Sequence, residues 1–274
     1  MPMSICVTCG VQFAESATPP ERCPICDEER QYVPESGQQW TTLGELGKDH
    51  HNRMAPEGEL TGIGTTPRFA IGQRALLVPY GDRSLLWDCV TLLDDATVQE
   101  IEARGGLGAI AISHPHYYSA MVEWAHRFEC PVLLHADDAE WIMRPDPAIE
   151  LWDGDRRELD HGLTLLRLGG HFAGGTVLHW PDGAQGRGAL LSGDIVQVIP
   201  DRRHVGFMYS YPNLIPLPPA TVRRMADALE PHRFATIYGA WWDSVVHEDG
   251  QGAVRRSAER YIRSVQGDGP AAQT

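Results

Sequence analysis

Four of the chain's six cysteines are packed into its first 26 residues as two pairs, Cys6-Val7-Thr8-Cys9 and Cys23-Pro24-Ile25-Cys26. Each CxxC turn aims two sulfurs to one side, and two such turns complete a tetrahedral thiolate site. The intervening segment carries Thr18-Pro19-Pro20 and too few apolar side chains to build a core. Metal must replace the core there, and modules of this kind fold only when metal is bound. Residues 1–35 therefore read as a separate module held by one structural zinc on Cys6, Cys9, Cys23 and Cys26. Cys89 and Cys130 lie in the apolar runs LLWDCV and FECPVLL and read as buried small side chains, not as a disulfide.

Cys9-Gly10 and Cys23-Pro24-Ile25-Cys26 resemble the knuckles of a zinc ribbon, with Asp27 where glycine often follows the second pair. An iron-loaded, rubredoxin-like site is the alternative. Residues 36–66 are rich in Gly and turn formers and read as a linker wrapping onto the main domain, with His50 and His51 as solvated side chains. The main domain spans 67–266, and 267–274 reads as a flexible tail. Within the main domain, short apolar runs bounded by turn residues predict strands at 75–78, 85–90, 109–113, 132–135, 163–168, 176–180, 189–192 and 234–238. Helices are expected at 94–104, around Met121, Trp124, Ala125 and Phe128, and near the C-terminus, where Val254, Ala258, Tyr261, Ile262 and Val265 form one apolar face.

With 42% hydrophobic residues the chain can fill a sizeable core. Its 23 basic and 37 acidic residues leave a net charge of −14, which opposes docking on nucleic-acid phosphates or anionic lipid. The acidic run Asp27-Glu28-Glu29 makes the four-cysteine module a poor nucleic-acid finger. The start has no basic segment followed by an apolar run, and no stretch reaches bilayer length. The expectation is a cytoplasmic protein with neither membrane nor nucleic acid as partner.

The strand 109–113 runs into His114-Pro115-His116. Side chains two apart in an extended segment point the same way, so both imidazoles can grip one metal while Pro115 stiffens the backbone. HxH alone is weak. Two further strands also end in ligand-type residues, Gly169-Gly170-His171 and Ser192-Gly193-Asp194, where functional groups favour the strand-to-loop boundary. His135 ends another strand and is a candidate extra ligand, unless Asp137 or Asp138 caps the next helix and His135 only packs beside it.

This order, HxH, then GGH, then GD after an apolar strand, with Leu85-Leu86-Trp87-Asp88 as an early strand ending in Asp, resembles the metallo-β-lactamase superfamily over roughly residues 67 to 265. The resemblance implies an α/β, four-layer αβ/βα sandwich, here with the small N-terminal zinc ribbon added. It implies His114, His116 and His171 as ligands of a first metal, and Asp194 as the carboxylate that would bridge to a second. The second site is degenerate. Tyr118 and Ser119 stand where its Asp and His belong, and Ala240 stands where a later histidine follows the last strand. One catalytic metal is therefore expected, zinc with iron as its rival.

A single metal with an open position polarises a carbonyl and activates water, which favours hydrolysis of a small ester, thioester, lactone or amide. Asp194 is then either a ligand or the general base, and Tyr118 either a hydrogen-bond donor to developing charge or a plug in the vacated second pocket. The segment from Arg202 to Asn213 carries Phe207, Tyr209 and Tyr211 and reads as a lid. With Tyr117, Trp141 and Trp241 it offers an aromatic wall for a small-molecule substrate, and Arg202 offers a carboxylate partner. The same aromatics would also suit a homodimer contact. Iron-dependent redox chemistry, and a non-catalytic member that binds a ligand or partner, are the competing functions.

Overall fold

The structure, a computed structural model, describes residues 2–268. From residue 269 onward, the tail expected at 267–274 lies outside the described residues. Two compact units follow one another in the chain, Met1–Asp153 and Gly154–Thr274.

The first unit opens with a three-stranded antiparallel sheet in the order β2-β1-β3, formed by β1 (Met3–Cys6), β2 (Gln12–Glu15) and β3 (Trp40–Thr41). The second CxxC pair frames α1 (Pro24–Asp27), with Pro24 in the first turn, where its missing N–H costs nothing. In α2 (Leu43–Asp49), Thr42 caps the N-terminus by accepting the Glu45 N–H at 3.3 Å.

A seven-stranded mixed sheet follows in the order β10-β9-β8-β7-β6-β5-β4. Its strands are β4 (His51–Glu57), β5 (Leu60–Thr66), β6 (Ala75–Tyr80), β7 (Arg83–Trp87), β8 (Leu107–Ala111), β9 (Val132–His135) and β10 (Ile149–Trp152). β4 to β7 pair antiparallel, and β7 to β10 pair parallel. From Leu85 in β7 through β8 and β9 the central strands are almost wholly buried on both faces, as a parallel region covered by helices requires, and so read as mainly apolar runs.

The linker expected at 36–66 is a correction. Most of it is regular structure, and β4 and β5 form a hairpin in continuous register from His51 against Thr66 to Glu57 against Leu60. β4 lies at the sheet's edge and is largely exposed, so it carries no buried alternation, and Pro56 is tolerated because an edge strand need not donate on both sides. His51 is exposed and His50 half-buried. The crossover helices are α3 (Asp95–Glu102), capped by Asp94 accepting the Thr97 N–H at 2.8 Å, and α4 (Met121–Phe128). Gly105 at φ +95° ends the α3 region against the Asp82 carbonyl, which a Cβ would meet at 2.1 Å. Trp124 of α4 is fully buried and donates its indole N–H to the Val90 carbonyl at 2.9 Å.

The second unit holds a six-stranded sheet in the order β11-β12-β13-β14-β19-β20. Its members are β11 (Arg156–Glu158), β12 (Thr164–Arg167), β13 (Thr176–Trp180), β14 (Ala189–Gly193), β19 (Thr236–Gly239) and β20 (Val245–Val246), with only β14 and β19 parallel. Between β13 and β14 lies a short turn, α5 (Gly183–Gly186). The aromatic segment after β14 folds into two ribbons, β15 (Gln197–Val198) with β16 (Val205–Gly206), and β17 (Met208–Ser210) with β18 (Ile215–Pro216). Two helices, α6 (Pro219–Leu229) and α7 (Gly250–Gln266), pack Val222, Met225, Leu229, Val254, Ala258 and Ile262 into a core with Val177, Leu190, Ile195, Phe207 and Ile237.

All eight expected strands are present, with ends differing by up to three residues, and so are the three expected helices. Among the described residues no helix is long and apolar enough to cross a membrane.

Candidate functional site

The four N-terminal thiols converge. Cys6 Sγ lies 3.6 Å from Cys26 Sγ and Cys9 Sγ lies 3.7 Å from Cys23 Sγ, all four side chains being buried. A tetrahedron with Zn–S bonds of about 2.3 Å has edges of roughly 3.8 Å, so the spacing fits one zinc. The sulfurs perturb one another: hydrogen bonds from Cys23, Cys26 and Cys9 hold the Cys6 thiol far below the ordinary range, while burial drives Cys9 up. Such a set of buried, mutually opposed thiols is the chemistry a tetrathiolate cation relieves.

β8 delivers the HxH loop. After Ala111 the chain passes Ser113, whose N–H donates to Asp88 Oδ1 at 2.8 Å and whose hydroxyl meets His114 Nδ1 at 2.9 Å. His114 is extended and begins a 3₁₀ turn over Pro115–Tyr117 that carries His116. The two imidazoles are 1% and 3% exposed, with ring centroids 5.1 Å apart. With His114 Nδ1 engaged by Ser113, Nε2 is the nitrogen for a metal. Asp88, at φ +59° just past β7, is buried, and that burial pushes its carboxyl up to about 7 against the Ser113 hydrogen bonds and the nearby Arg74 charge.

Several expected residues serve this loop differently. Tyr117, expected on the substrate wall, is fully buried with its ring 4.3 Å from that of His114. Tyr118 is 2% exposed and donates its hydroxyl to the Asp138 carbonyl at 3.4 Å. Ser119 donates to the Cys89 carbonyl at 3.2 Å and accepts from Gln73 Nε2 at 3.1 Å. His135 is itself the N-cap of the 3₁₀ segment Ala136–Trp141, its Nδ1 accepting the Asp137 N–H at 3.1 Å, so neither Asp137 nor Asp138 is the cap. Trp141, also expected on the substrate wall, lies under the Arg30 guanidinium at 5.5 Å, because the N-terminal module occupies that face.

The second unit carries His171 and Asp194. Gly169 and Gly170 turn the chain at φ +64° and +85°, and a Cβ on Gly170 would sit 2.8 Å from Met225 Sδ, so the GGH turn needs glycine both for its conformation and for space. His171 donates Nδ1–H to the Tyr209 carbonyl at 2.6 Å, which leaves Nε2 as the metal nitrogen. Asp194 follows Gly193 at the end of β14 and is 5% exposed, and its backbone carbonyl accepts the Tyr211 hydroxyl at 2.7 Å. Burial pushes the Tyr211 phenol well up, with the Asp194 charge adding to it. The segment expected as a lid thus steadies two ligand-type residues. Arg202 is exposed at φ +53°, and Trp241 is half-buried beyond β19.

Among the described residues, the four cysteines bring their ligand atoms within 4.8 Å of one another and are placed to hold a metal; His114 and His116 in the first unit, and His171 in the second, are buried ligand-type side chains. Imidazole is a donor for zinc or ferrous iron. The roles of Ser113 and of the Tyr209 carbonyl were not visible beforehand, since a backbone acceptor has no sequence signature.

The chain is 48% identical over 268 residues to the uncharacterized protein YmaE of Bacillus subtilis (strain 168), covering 97% of each. No protein-family model matches it. Among solved structures it resembles DIM-1 metallo-β-lactamase, with a TM-score of 0.59 and 13% identity over 78% of this chain and 98% of that one. It also resembles the metallo-β-lactamase FIM-1 from Pseudomonas aeruginosa in its mono-zinc form (TM-score 0.56, 13% identity, 77% and 96% covered). A third likeness is to a metallo-β-lactamase from Hirschia baltica (TM-score 0.53, 17% identity, 77% and 97% covered).

Proposed function

The chain belongs to the same family as YmaE and has the metallo-β-lactamase fold, and from that premise we propose that it is a mononuclear metal-dependent hydrolase of a small ester, thioester, lactone or amide. The observation that carries this reading is the buried His114 and His116 pair, ring centroids 5.1 Å apart at the end of β8, in a loop in which Tyr118 and Ser119 are committed to backbone carbonyls.

Zinc at this loop would be held by His114 and His116 and would supply Lewis acidity toward a substrate carbonyl and toward water. The chain's own residues prepare for it: Ser113 and the Tyr209 carbonyl each engage an Nδ1 and so fix ring orientation, and the carbonyl, which can only accept, also fixes the tautomer of His171. Asp194, held through its backbone by Tyr211, is in this reading the general base, or a fourth ligand. Tyr118 keeps its pocket closed. The net charge of −14 favours a small-molecule substrate over nucleic acid. Six cysteines without a disulfide suit a reducing cytoplasm.

The test is metal content per chain together with turnover of a panel of thioesters, lactones, esters and amides. We expect zinc at the histidines, turnover of one of these classes, and loss of both in His116→Ala. Iron with no hydrolysis of any class would overturn the reading.

A further inference from the structure

We propose that the four-cysteine module is an internal clamp on the histidine-bearing loop, with Gln12 as its positioning residue. The proposal rests on the reading of His114 and His116 as metal ligands, not on hydrolysis.

The module lies along three stretches of its own unit that flank the HxH loop. The Thr91 hydroxyl donates to the Gly10 carbonyl at 2.9 Å, the Gln12 N–H donates to the Ser119 carbonyl at 2.9 Å, and the Ala14 N–H donates to the Met143 carbonyl at 3.1 Å. Side chains reinforce the contact. Gln12 donates Nε2 to Glu123 at 3.2 Å and accepts from Arg144, which itself pairs with Glu123 at 2.6 Å.

Ser119 is the joint between the 3₁₀ turn that carries His116 and the start of α4. It sits at φ +50°, a left-handed conformation that a serine adopts only when its surroundings hold it there. Cys89 and Gln73 hold its side chain, and Gln12 holds its carbonyl. Gln12 is in turn set by the thiolate turn. The Cys6 N–H donates to Val11 at 3.0 Å, the Gly10 N–H to Cys6 at 2.8 Å, and Ile5 pairs with Gln12 across β1 and β2. Metal on the four thiolates therefore rigidifies β2, β2 holds Ser119, and Ser119 fixes where His116 stands.

Two variants loosen the clamp without touching a ligand. Gly10→Ala places a Cβ 2.5 Å from Thr91 Oγ1 and 3.2 Å from Ala70 Cβ, prising the knuckle off its seat. Gln12→Met keeps the bulk of the side chain and the backbone N–H to Ser119, and removes the side-chain bonds to Glu123 and Arg144 that seat β2 against α4, so the Ser119 contact is loosened and not deleted.

The full-length protein is loaded with Co²⁺ at both sites. The thiolate charge-transfer band then reports the module, the ligand-field bands report the histidines, and chelator competition measures the histidine-site dissociation constant. For Gly10→Ala we expect that constant to weaken about tenfold, the low end for loss of outer-shell support, with changed ligand-field bands and the thiolate band retained. Gln12→Met should weaken it about threefold. A merely structural module would lower the melting temperature and leave the histidine-site spectrum and constant of the folded protein at the parent's values, and that result in both variants overturns the proposal. If Gly10→Ala fails to fold or loses its thiolate band, Gln12→Met alone decides. A parent protein that binds no cobalt at the histidines overturns the metal reading, and this proposal with it. Parent values in the variants of a metal-binding parent overturn this proposal alone.

Discussion

Replacing Arg74 by methionine tests whether the hairpin of β4 and β5 belongs to the sheet's energetics. Arg74 stands just before β6 with its side chain 1% exposed and donates Nε to Glu57 Oε2 at 2.8 Å, Glu57 being the last residue of β4 and 7% exposed. At an effective dielectric of about 20, the attraction of unit charges at that distance is roughly 6 kcal/mol. Desolvating the two ions costs several kcal/mol each, so the intact pair contributes little net stability. Removing one partner is another matter. Arg74→Met leaves the Glu57 carboxylate buried without its cation and removes the charge that opposes the rise of Asp88, so the expected loss is about 3–5 kcal/mol. At roughly 2–4 °C per kcal/mol for a chain of this class, the melting temperature should fall by about 10 °C. The double variant Arg74→Met with Glu57→Met replaces the pair by apolar volume and should return to within about 2 kcal/mol of the parent. Urea unfolding of the zinc-loaded protein, followed by tryptophan fluorescence, measures all three. A single variant within about 1 kcal/mol of the parent, or a double variant no better than the single, refutes the reasoning.

Three further outcomes are expected. In metal-free protein, Asp88 is raised from 3.8 to about 7 by burial, so as pH rises from 4 to 7 the unfolded state ionises it while the folded state keeps it protonated, and stability is lost across that window. Asp88→Asn removes this loss, so relative to that variant the parent should lose about 2–4 kcal/mol between pH 4 and pH 7.5 in denaturant titrations, and a pH-independent difference would be evidence against it. Tyr211→Phe deletes the hydroxyl on the Asp194 carbonyl; one lost hydrogen bond of about 1 kcal/mol predicts roughly fivefold slower turnover with metal content unchanged, and loss of metal instead would show that Asp194 is a ligand. Elemental analysis should find two metal ions per chain, with one lost in Cys23→Ser and the other in His116→Ala; three in the parent would mean that a second catalytic ion is rebuilt.

The strands that matter most were legible because both faces are covered: 132–135 and 176–180 are mainly apolar, with His135, Thr176 and His179 their polar members, and their boundaries agree with β9 and β13. The β4 and β5 hairpin was not legible. An edge strand that exposes most of its side chains shows no alternation, and Gly62 and Gly64 inside β5 read as turn residues. Helix α6 was missed for a related reason, since Pro218-Pro219 looks like a loop until Val222, Met225 and Leu229 are seen to close the second unit's core.

The sequence by itself determined the ligand-type residues, since each CxxC pair, HxH and GGH turn is a local device whose geometry follows from the spacing of a few neighbouring residues. Only the tertiary structure decided what the residues around them do. Tyr117 and Tyr118 turn into the protein, Trp141 lies under Arg30, and Tyr209 acts through its carbonyl. The physical reason is that an aromatic or polar side chain is equally suited to substrate, core or another backbone, and its choice is made by elements far away in sequence. The contact of Gln12 with Ser119, more than a hundred residues apart, is the clearest case.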